Sequence, residues 1–328
     1  MKKITRKSKI IKKSNIFPSD INVLCALNDG RLAIGGREHL VIYNMKTYNL
    51  DIHMQTFHTV NTIVSLSNNR LFYTTYYTES EGPWVDEIVD DYLIELNGKN
   101  YKDITNAIID YSKSYNILYE YSDTFLIAGR SYKHQNNNFN DRIVILQKID
   151  GRYKKIARLE ITKLMHFILL NKNLIATLTK YKYTGEKDTS TCNLTFYHTK
   201  LLKFIKRDTI ERTVKISALD EKFMLIGTKN AVIIYDYIHY KKVKKISCMY
   251  PLYKIIVYQN IIYIGESEEY DAKKEIYKNR IVEYEFDNQG NFKQIYSYYK
   301  PQNLLTDFVK VKDGRIISCS EKNVKIWD

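Results

Sequence analysis

The sequence predicts an all-β fold built from repeated units of four antiparallel strands. A short apolar strand that ends in an aromatic or polar residue recurs seven times, at intervals of roughly 40 to 50 residues, which is the period of a four-stranded propeller blade. A second strand-like run precedes each copy and often follows a turn. Long amphipathic helices are not indicated, because β-branched and aromatic residues fill these runs. The predicted fold is therefore a single seven-bladed β-propeller of four-stranded antiparallel blades.

Each unit is predicted to contain a strand leading into a turn, two apolar strands and a more polar fourth strand. The first strand is exemplified by INVLCAL (21–27) and TDFVKV (306–311). The second strands are DGRLAIGG (29–36), NNRLFYTT (68–75), SDTFLIAG (122–129), NKNLIATL (171–178), DEKFMLIG (220–227), YQNIIYIG (258–265) and KDGRIISCS (312–320). The third strands are LVIYN (40–44), YLIELN (92–97), RIVILQ (142–147), NLTFYH (193–198), VIIYD (232–236), RIVEYEF (280–286) and NVKIWD (323–328).

The repeats assign all 328 residues to one domain. The predicted blades lie approximately at 21–58, 59–107, 108–161, 162–211, 212–248, 249–300, and 301–328 together with 3–14. In this scheme the last unit lacks a fourth strand, and the N-terminal segment supplies it by pairing with the C-terminal blade, which closes the ring. The alternative, an unrelated pair of β-sandwiches, fits the even period poorly.

The N-terminal segment is open to two interpretations. Residues 1–13 carry seven basic residues and no acidic one, within a chain of net charge +14. Such a run is typical of a nuclear-localisation signal or a nucleic-acid-binding arm. The closing strand is favoured here, with Ile4, Ile10 and Ile11 as its apolar residues.

Composition indicates a soluble intracellular protein. The chain has only 4 prolines and 12 glycines, too few for a disordered protein. Its four cysteines form no CxxC motif and lie among apolar neighbours, which favours buried free thiols in a reducing compartment: Cys25, Cys192, Cys248 and Cys319. No signal peptide and no membrane span are predicted. The predicted location is the cytoplasm, with the nucleus as the alternative.

Three units resemble a known repeat. DGRIISCSEKNVKIWD (313–328) resembles the second half of a WD repeat, with an Asp-Gly turn, small residues after the second strand and a closing Trp-Asp. The same frame has Tyr43-Asn44 at the Trp-Asp position in 29–44, and Tyr235-Asp236 in VIIYD. The chain is thus similar to the WD-repeat β-propeller family, with degenerate repeats. The Gly-His dipeptide that usually opens these repeats is missing, so the family's buried Asp-His-Ser/Thr-Trp tetrad is incomplete.

Four units carry long segments between their second and third strands, and in a propeller these segments emerge on one face. They span 75–91, 130–141, 179–192 and 266–279. Long loops in compact repeats are often functional, although β-hairpin extensions and neutral insertions are the alternatives. Their aromatic and histidine side chains are the predicted contacts for a protein or peptide partner: Trp84, Tyr77, Tyr132, His134, Tyr181, Tyr183 and Tyr270. Trp84 either anchors an interface or fixes its loop onto a neighbouring blade.

Basic residues cluster on the predicted fourth strands in 151–161, 200–210 and 239–248. Lysine on an exposed edge strand commonly prevents edge-to-edge aggregation, and this explanation is favoured. The alternative is contact with RNA or anionic lipid through these side chains: Lys154, Lys155, Lys206, Arg207, Lys241, Lys242, Lys244 and Lys245. The chain has no recognised RNA-binding signature and no Phe-Arg-Arg-Gly motif.

No enzyme is predicted. The seven histidines show no metal-ligand spacing, and no nucleophile elbow, P-loop or dinucleotide motif occurs. His166, in an apolar strand, is interpreted as a satisfied core residue. No catalytic residue, metal or cofactor is therefore assigned. The predicted function is a non-enzymatic interaction scaffold, monomeric by itself or a subunit of a larger complex; the alternative is an RNA- or ribonucleoprotein-associated propeller.

Overall fold

The structure is a computed structural model, and it describes residues 8–10, 21–56, 58–67, 70–80, 86–96, 117–129, 142–161, 163–180, 191–267, 279–287, 291–300, 305–320 and 323–327. The regular elements along these ranges are antiparallel β-strands. The chain divides into two compact units. Unit 1 has Glu160–Leu305 as its main segment, and unit 2 consists of Lys7–Arg130, Arg142–Leu159 and Thr306–Asp328.

Unit 2 contains three four-stranded sheets and one three-stranded sheet among the described residues. The first sheet has the order β2 (Ile21–Ala26), β3 (Leu32–Gly36), β4 (His39–Tyr43), β5 (Leu50–Gln55), and the three-stranded sheet follows with β6 (Thr59–Ser65), β7 (Leu71–Ser80), β8 (Asp86–Leu96). The next consists of β9 (Ile117–Ser122), β10 (Phe125–Gly129), β11 (Arg142–Ile149), β12 (Arg152–Glu160). The last has the order β1 (Ser8–Ile10), β27 (Asn323–Trp327), β26 (Ile316–Ser320), β25 (Asp307–Lys310).

Unit 1 contains three further four-stranded sheets. They are β13 (Leu164–Asn171), β14 (Leu174–Lys180), β15 (Thr191–His198), β16 (Lys203–Glu211); then β17 (Thr213–Ala218), β18 (Phe223–Thr228), β19 (Ala231–Asp236), β20 (Lys241–Ser247); and finally β21 (Leu252–Tyr258), β22 (Ile261–Ser267), β23 (Asn279–Phe286), β24 (Phe292–Lys300).

Within each unit, successive sheets contact one another through their first strands. β2 contacts both β25 and β6 in unit 2, and β17 contacts β13 and β21 in unit 1. The middle strands are buried on both faces, as every residue of β18 and β19 shows. Strands buried on both faces read as continuous apolar runs rather than alternating ones. These features confirm the predicted all-β fold of four-stranded antiparallel propeller blades.

The predicted number of complete blades is wrong for the described part of the chain. Six sheets have four strands, whereas the sequence predicts seven such blades. The exception is the sheet β6–β8, because the fourth strand expected for that blade falls after Leu96, in residues outside the described ranges.

The N-terminal segment supplies a strand to the C-terminal sheet. β1 pairs antiparallel with β27, so that Ser8 lies opposite Trp327 and Ile10 opposite Lys325. This strand is three residues long, and the rest of the predicted 3–14 segment lies outside the described residues. Closure of a whole ring by this pairing stays a prediction.

The Asp-Gly-Arg turns are formed as the sequence predicts. Gly314 has a φ of 93°, a left-handed conformation that favours glycine, and Asp313 Oδ1 accepts the Arg315 N–H at 3.1 Å. Arg315 also donates to the Met45 carbonyl at 2.7 Å, and its guanidinium carbon lies 5.3 Å from the centroid of the Tyr48 ring. The turn therefore joins the last sheet of unit 2 to its first sheet.

β-Bulges recur at two equivalent places in the blades. Near the start of the first strand, the register with the second strand skips one residue in five sheets: Asn22, Asn61, Met165, Val214 and Tyr253. A second bulge lies in the outer strand of four sheets, at Asp51, Ile205, Val243 and Ile295. In each case the bulge residue comes directly after the residue that pairs with a tyrosine of the third strand. These tyrosines are Tyr43, Tyr197, Tyr235 and Tyr284. A bulge interrupts the ladder and increases twist, so it makes an open edge a poor template for another strand.

Candidate functional site

Most of the predicted partner-binding residues lie outside the described residues. These are Trp84, Tyr132, His134, Tyr181, Tyr183 and Tyr270. The seventh, Tyr77, belongs to β7. Their role as a common contact surface therefore stays a prediction.

The points where the long segments join the sheets are described. Residues 130–141 lie between β10 and β11, and residues 268–278 lie between β22 and β23, so both connect a second strand to a third. The segment 75–91 differs from the prediction of a long loop. β7 and β8 extend through most of it, with Thr78 opposite Ile88 and Ser80 opposite Asp86. The hairpin extension is thus the correct alternative there.

A buried ion pair lies where residues 268–278 leave the sheet. Arg280, near the start of β23, donates two hydrogen bonds to Glu266 of β22, from Nε at 2.7 Å and from Nη2 at 2.8 Å. Glu266 Oε2 also accepts the backbone N–H groups of Met249 and Tyr250, each at 2.9 Å. The side chains of Glu266 and Arg280 are 1% and 8% exposed. Four hydrogen bonds thus satisfy a carboxylate that water does not reach, which fixes the ends of both strands.

All eight predicted basic residues are described, and all lie on outer strands. Lys154 and Lys155 belong to β12, Lys206 and Arg207 to β16, and the remaining four, Lys241, Lys242, Lys244 and Lys245, to β20. Every one of them is exposed. The sequence therefore placed these residues correctly on the fourth strands of their blades.

Side-chain contacts link β16 and the turn before it to β20 and the turn before it, and we call residues 200–207 and 238–245 the basic–apolar rim. Lys206 Nζ lies 5.5 Å from the Tyr240 ring centroid, and Tyr240 packs edge-on against Phe196 at 5.2 Å. Lys245 forms an ion pair with Glu211 at 3.6 Å. Contacts between the two neighbouring blades of unit 1 thus hold the two halves of the rim together.

A buried tyrosine hydrogen bond lies beneath the rim. The Tyr235 hydroxyl donates to Asp208, a residue of β16. Burial, together with the adjacent Asp208 carboxylate, raises the pKa of Tyr235. The phenol therefore keeps its proton and remains a donor at neutral pH.

Sequence reasoning missed the exposed apolar side chains of the rim. Leu201 is 70% exposed, Phe204 56% and Ile238 53%, and the bulge residues Ile205 and Val243 are each 42% exposed. The sequence does contain a signal for them. In KLLKFIK and KKVKK the apolar residues lie among lysines without the two-residue alternation that a half-buried strand shows.

His166 differs from the satisfied core residue that the sequence predicts. It is partly exposed, yet its Nδ1 atom is buried and makes no hydrogen bond. Burial and the positive charge of Lys215 lower the pKa of His166 to about 3, so the imidazole is neutral. Among the described residues, no group of three or more His, Cys, Asp or Glu side chains could hold a metal ion. Nor do they include a helix long and apolar enough to cross a membrane.

Comparison with known proteins identifies the fold but not a family. No family model matches the chain, and no curated protein matches it. A chain in a solved structure described as "Crystal Structure of Mitotic Checkpoint Complex" is similar to it, with a TM-score of 0.69 and 9% identity. The similarity covers 98% of this chain and 91% of that chain. At that identity the likeness supports the propeller fold alone.

Proposed function

We propose that this protein is a non-enzymatic interaction scaffold: a WD-repeat-like propeller that binds a protein or peptide through the segments joining second and third strands. The observation that carries the proposal is the position of these segments. Described strands flank 81–85, 130–141, 181–190 and 268–278, and each segment joins the second strand of a sheet to the third. Variable segments held on a rigid sheet frame are a common basis of specific binding.

The buried frame supports this role. Glu266 and Arg280 hold the two strands next to 268–278, and Ser267 and Asn279 lie beside them with Oγ and Oδ1 2.6 Å apart. A preorganised base lowers the entropic cost of ordering a binding segment. The matched structure is that of a complex, which is consistent with a propeller acting inside an assembly.

Membership of the WD-repeat family is part of the same proposal. Trp327 Nε1 donates to the buried Ser318 hydroxyl at 2.9 Å, which is the Trp-to-Ser contact that the WD-like C-terminal motif implies. The histidine of that tetrad normally comes from the Gly-His dipeptide, which this chain lacks.

The test is affinity purification with mass spectrometry of a triple variant, Trp84→Ala, Tyr132→Ala and Tyr183→Ala. We expect at least one partner of the wild-type protein to be lost. The matched control is Lys154→Ala, Lys155→Ala and Ile156→Ala on the exposed part of β12, which should keep every partner. An unchanged partner set for the aromatic variant, with normal folding, would contradict the proposal.

The RNA-associated alternative uses the exposed basic outer strands. It predicts RNA binding that weakens steeply with salt, because lysine contacts release counterions from phosphate. The alternative is ruled out if the protein does not bind RNA, or if its RNA affinity does not change with salt concentration.

A further inference from the structure

The basic–apolar rim combines two kinds of exposed side chain on one surface. Eight exposed cations lie on it: Lys200, Lys203, Lys206, Arg207, Lys241, Lys242, Lys244 and Lys245. Five large apolar side chains are exposed among them: Leu201, Phe204, Ile205, Ile238 and Val243. Exposed apolar groups that gather in one place mark interaction sites more often than scattered ones do.

Protection of an open sheet edge explains only part of this pattern. Lysines and bulges discourage strand pairing, but exposed leucine, isoleucine and phenylalanine side chains do the opposite. β5 occupies the same outer position in its own sheet, yet Leu50–Gln55 contains no lysine or arginine, and its bulge residue is Asp51. An outer strand of this fold therefore does not require the residues that β16 and β20 carry.

We propose that the basic–apolar rim docks onto an anionic lipid bilayer. Lysine ammonium groups are attracted to the negative surface potential of acidic lipids. Aliphatic side chains gain free energy when they leave water for the boundary between headgroups and acyl chains. The rim presents both groups side by side, on two strands that contacts such as Lys206 to Tyr240 hold together.

The same side chains fit the competing ligands less well. Single-stranded RNA needs aromatic faces on which bases can stack. Lys206 lies over the half-buried Tyr240 ring and Phe196 packs against it, which leaves Phe204 and the His239 imidazole, bound to Asp236, as the strongly exposed rings of the rim. A partner strand is disfavoured because the bulges at Ile205 and Val243 interrupt both outer strands.

The experiment is vesicle co-sedimentation of the full chain, using phosphatidylcholine alone and phosphatidylcholine with about 30 mol% phosphatidylserine as the anionic lipid. We expect binding to the anionic vesicles and at least ten-fold weaker binding to the neutral ones. The rim variant is Lys241→Gln, Lys242→Gln and Val243→Ser. Each cation near an anionic surface contributes about five-fold in binding, so the loss should exceed ten-fold.

The chain provides a closely matched control. Lys154, Lys155 and Ile156 on β12 repeat the Lys-Lys-aliphatic pattern, and all three are exposed. Lys154→Gln, Lys155→Gln and Ile156→Ser make the same change in charge and apolar surface in unit 2. Equal losses in both triple variants would overturn the proposal, since net charge alone would then explain binding. Absence of sedimentation with anionic vesicles would overturn it too.

Val243→Ser alone separates a bilayer from RNA. In a bilayer contact it weakens vesicle binding while leaving the net charge unchanged. If instead the protein binds an oligouridine probe that competes with vesicles, and Val243→Ser changes neither affinity, the rim is a nucleic-acid surface and the bilayer proposal fails. The aromatic triple variant described above should leave vesicle binding unchanged, so the two proposals can fail independently.

Discussion

Removal of the Arg280 guanidinium should destabilise the protein strongly, and Arg280→Met is the perturbation that shows it. The pair with Glu266 is almost fully buried, at 8% and 1% exposure. Breaking a buried ion pair by removing one partner typically costs about 3–5 kcal/mol, because the other charge stays buried without compensation. Glu266 keeps the two backbone donors at 2.9 Å, so we expect the lower end of that range, about 3 kcal/mol.

The assay is thermal unfolding, supported by urea titration. An unfolding entropy of about 2.1 cal/mol/K per residue gives about 0.7 kcal/mol/K for this chain, so the expected fall in Tm is about 4 °C. The exposed pair Lys245–Glu211 is the control: Glu211→Gln should cost less than about 1 kcal/mol.

A double variant tests the cause. Glu266→Gln with Arg280→Met removes both charges but leaves an amide oxygen for the Met249 and Tyr250 N–H groups. It should be more stable than the Arg280→Met single variant, because no buried charge then remains unpaired. A Tm of Arg280→Met within about 1 °C of the wild type, well under the expected shift, would refute the reasoning. So would a double variant that is less stable than Arg280→Met.

Three further outcomes are expected. Gly227→Ala should cost about 1–3 kcal/mol by overpacking, since a Cβ there would lie 2.2 Å from Leu252 Cδ2; urea unfolding measures it, and an unchanged midpoint contradicts the packing. Deletion of residues 1–14 should lower Tm, because β27 loses its pairing with β1; an unchanged Tm refutes a structural role for that strand. The depressed pKa of His166, about 3, means that the unfolded chain binds an additional proton between about pH 3 and 6.5, so stability falls as pH drops through that window. His166→Phe should make stability depend less on pH between about pH 3 and 6.5. If the slope there does not change, groups other than His166 cause it and the prediction is wrong.

The blade frame could be predicted because each blade repeats the same local chemistry. The run VIIYD is apolar on both faces, and the structure buries all of β19. Asp313-Gly314 predicts a turn because glycine adopts a positive φ without a steric penalty, and Gly314 does so. Such signals lie within a few residues of each other, so they need no knowledge of the neighbouring blades.

The hairpin β7–β8 shows where local signals fail. The acidic run after Pro83 looks like a solvated loop, whereas the structure pairs Glu79 with Glu87 and Thr78 with Ile88. That pairing depends on contacts between two separate segments, and the β-propensity of the individual residues predicts it only weakly. The Glu266–Arg280 pair was missed for a similar reason, since its other two donors come from the connection between β20 and β21.

The outer-strand bulges explain why the lysines of the rim could be predicted and the apolar residues at the bulges, Ile205 and Val243, could not. Side chains alternate between the two faces of a strand, so the face of Val243 in β20 is normally predicted from the positions of its neighbours in the sequence. The bulge adds one residue opposite the step from Ile234 to Tyr235, and the count changes face at that point. Lysine is exposed under either count, because burying its charge is costly. Val243 lies at this bulge and is 42% exposed, and Ile205 lies at the equivalent bulge of β16 with the same exposure. Two of the five exposed apolar side chains of the rim, Ile205 and Val243, thus lie at bulges, where they stand next to several lysines.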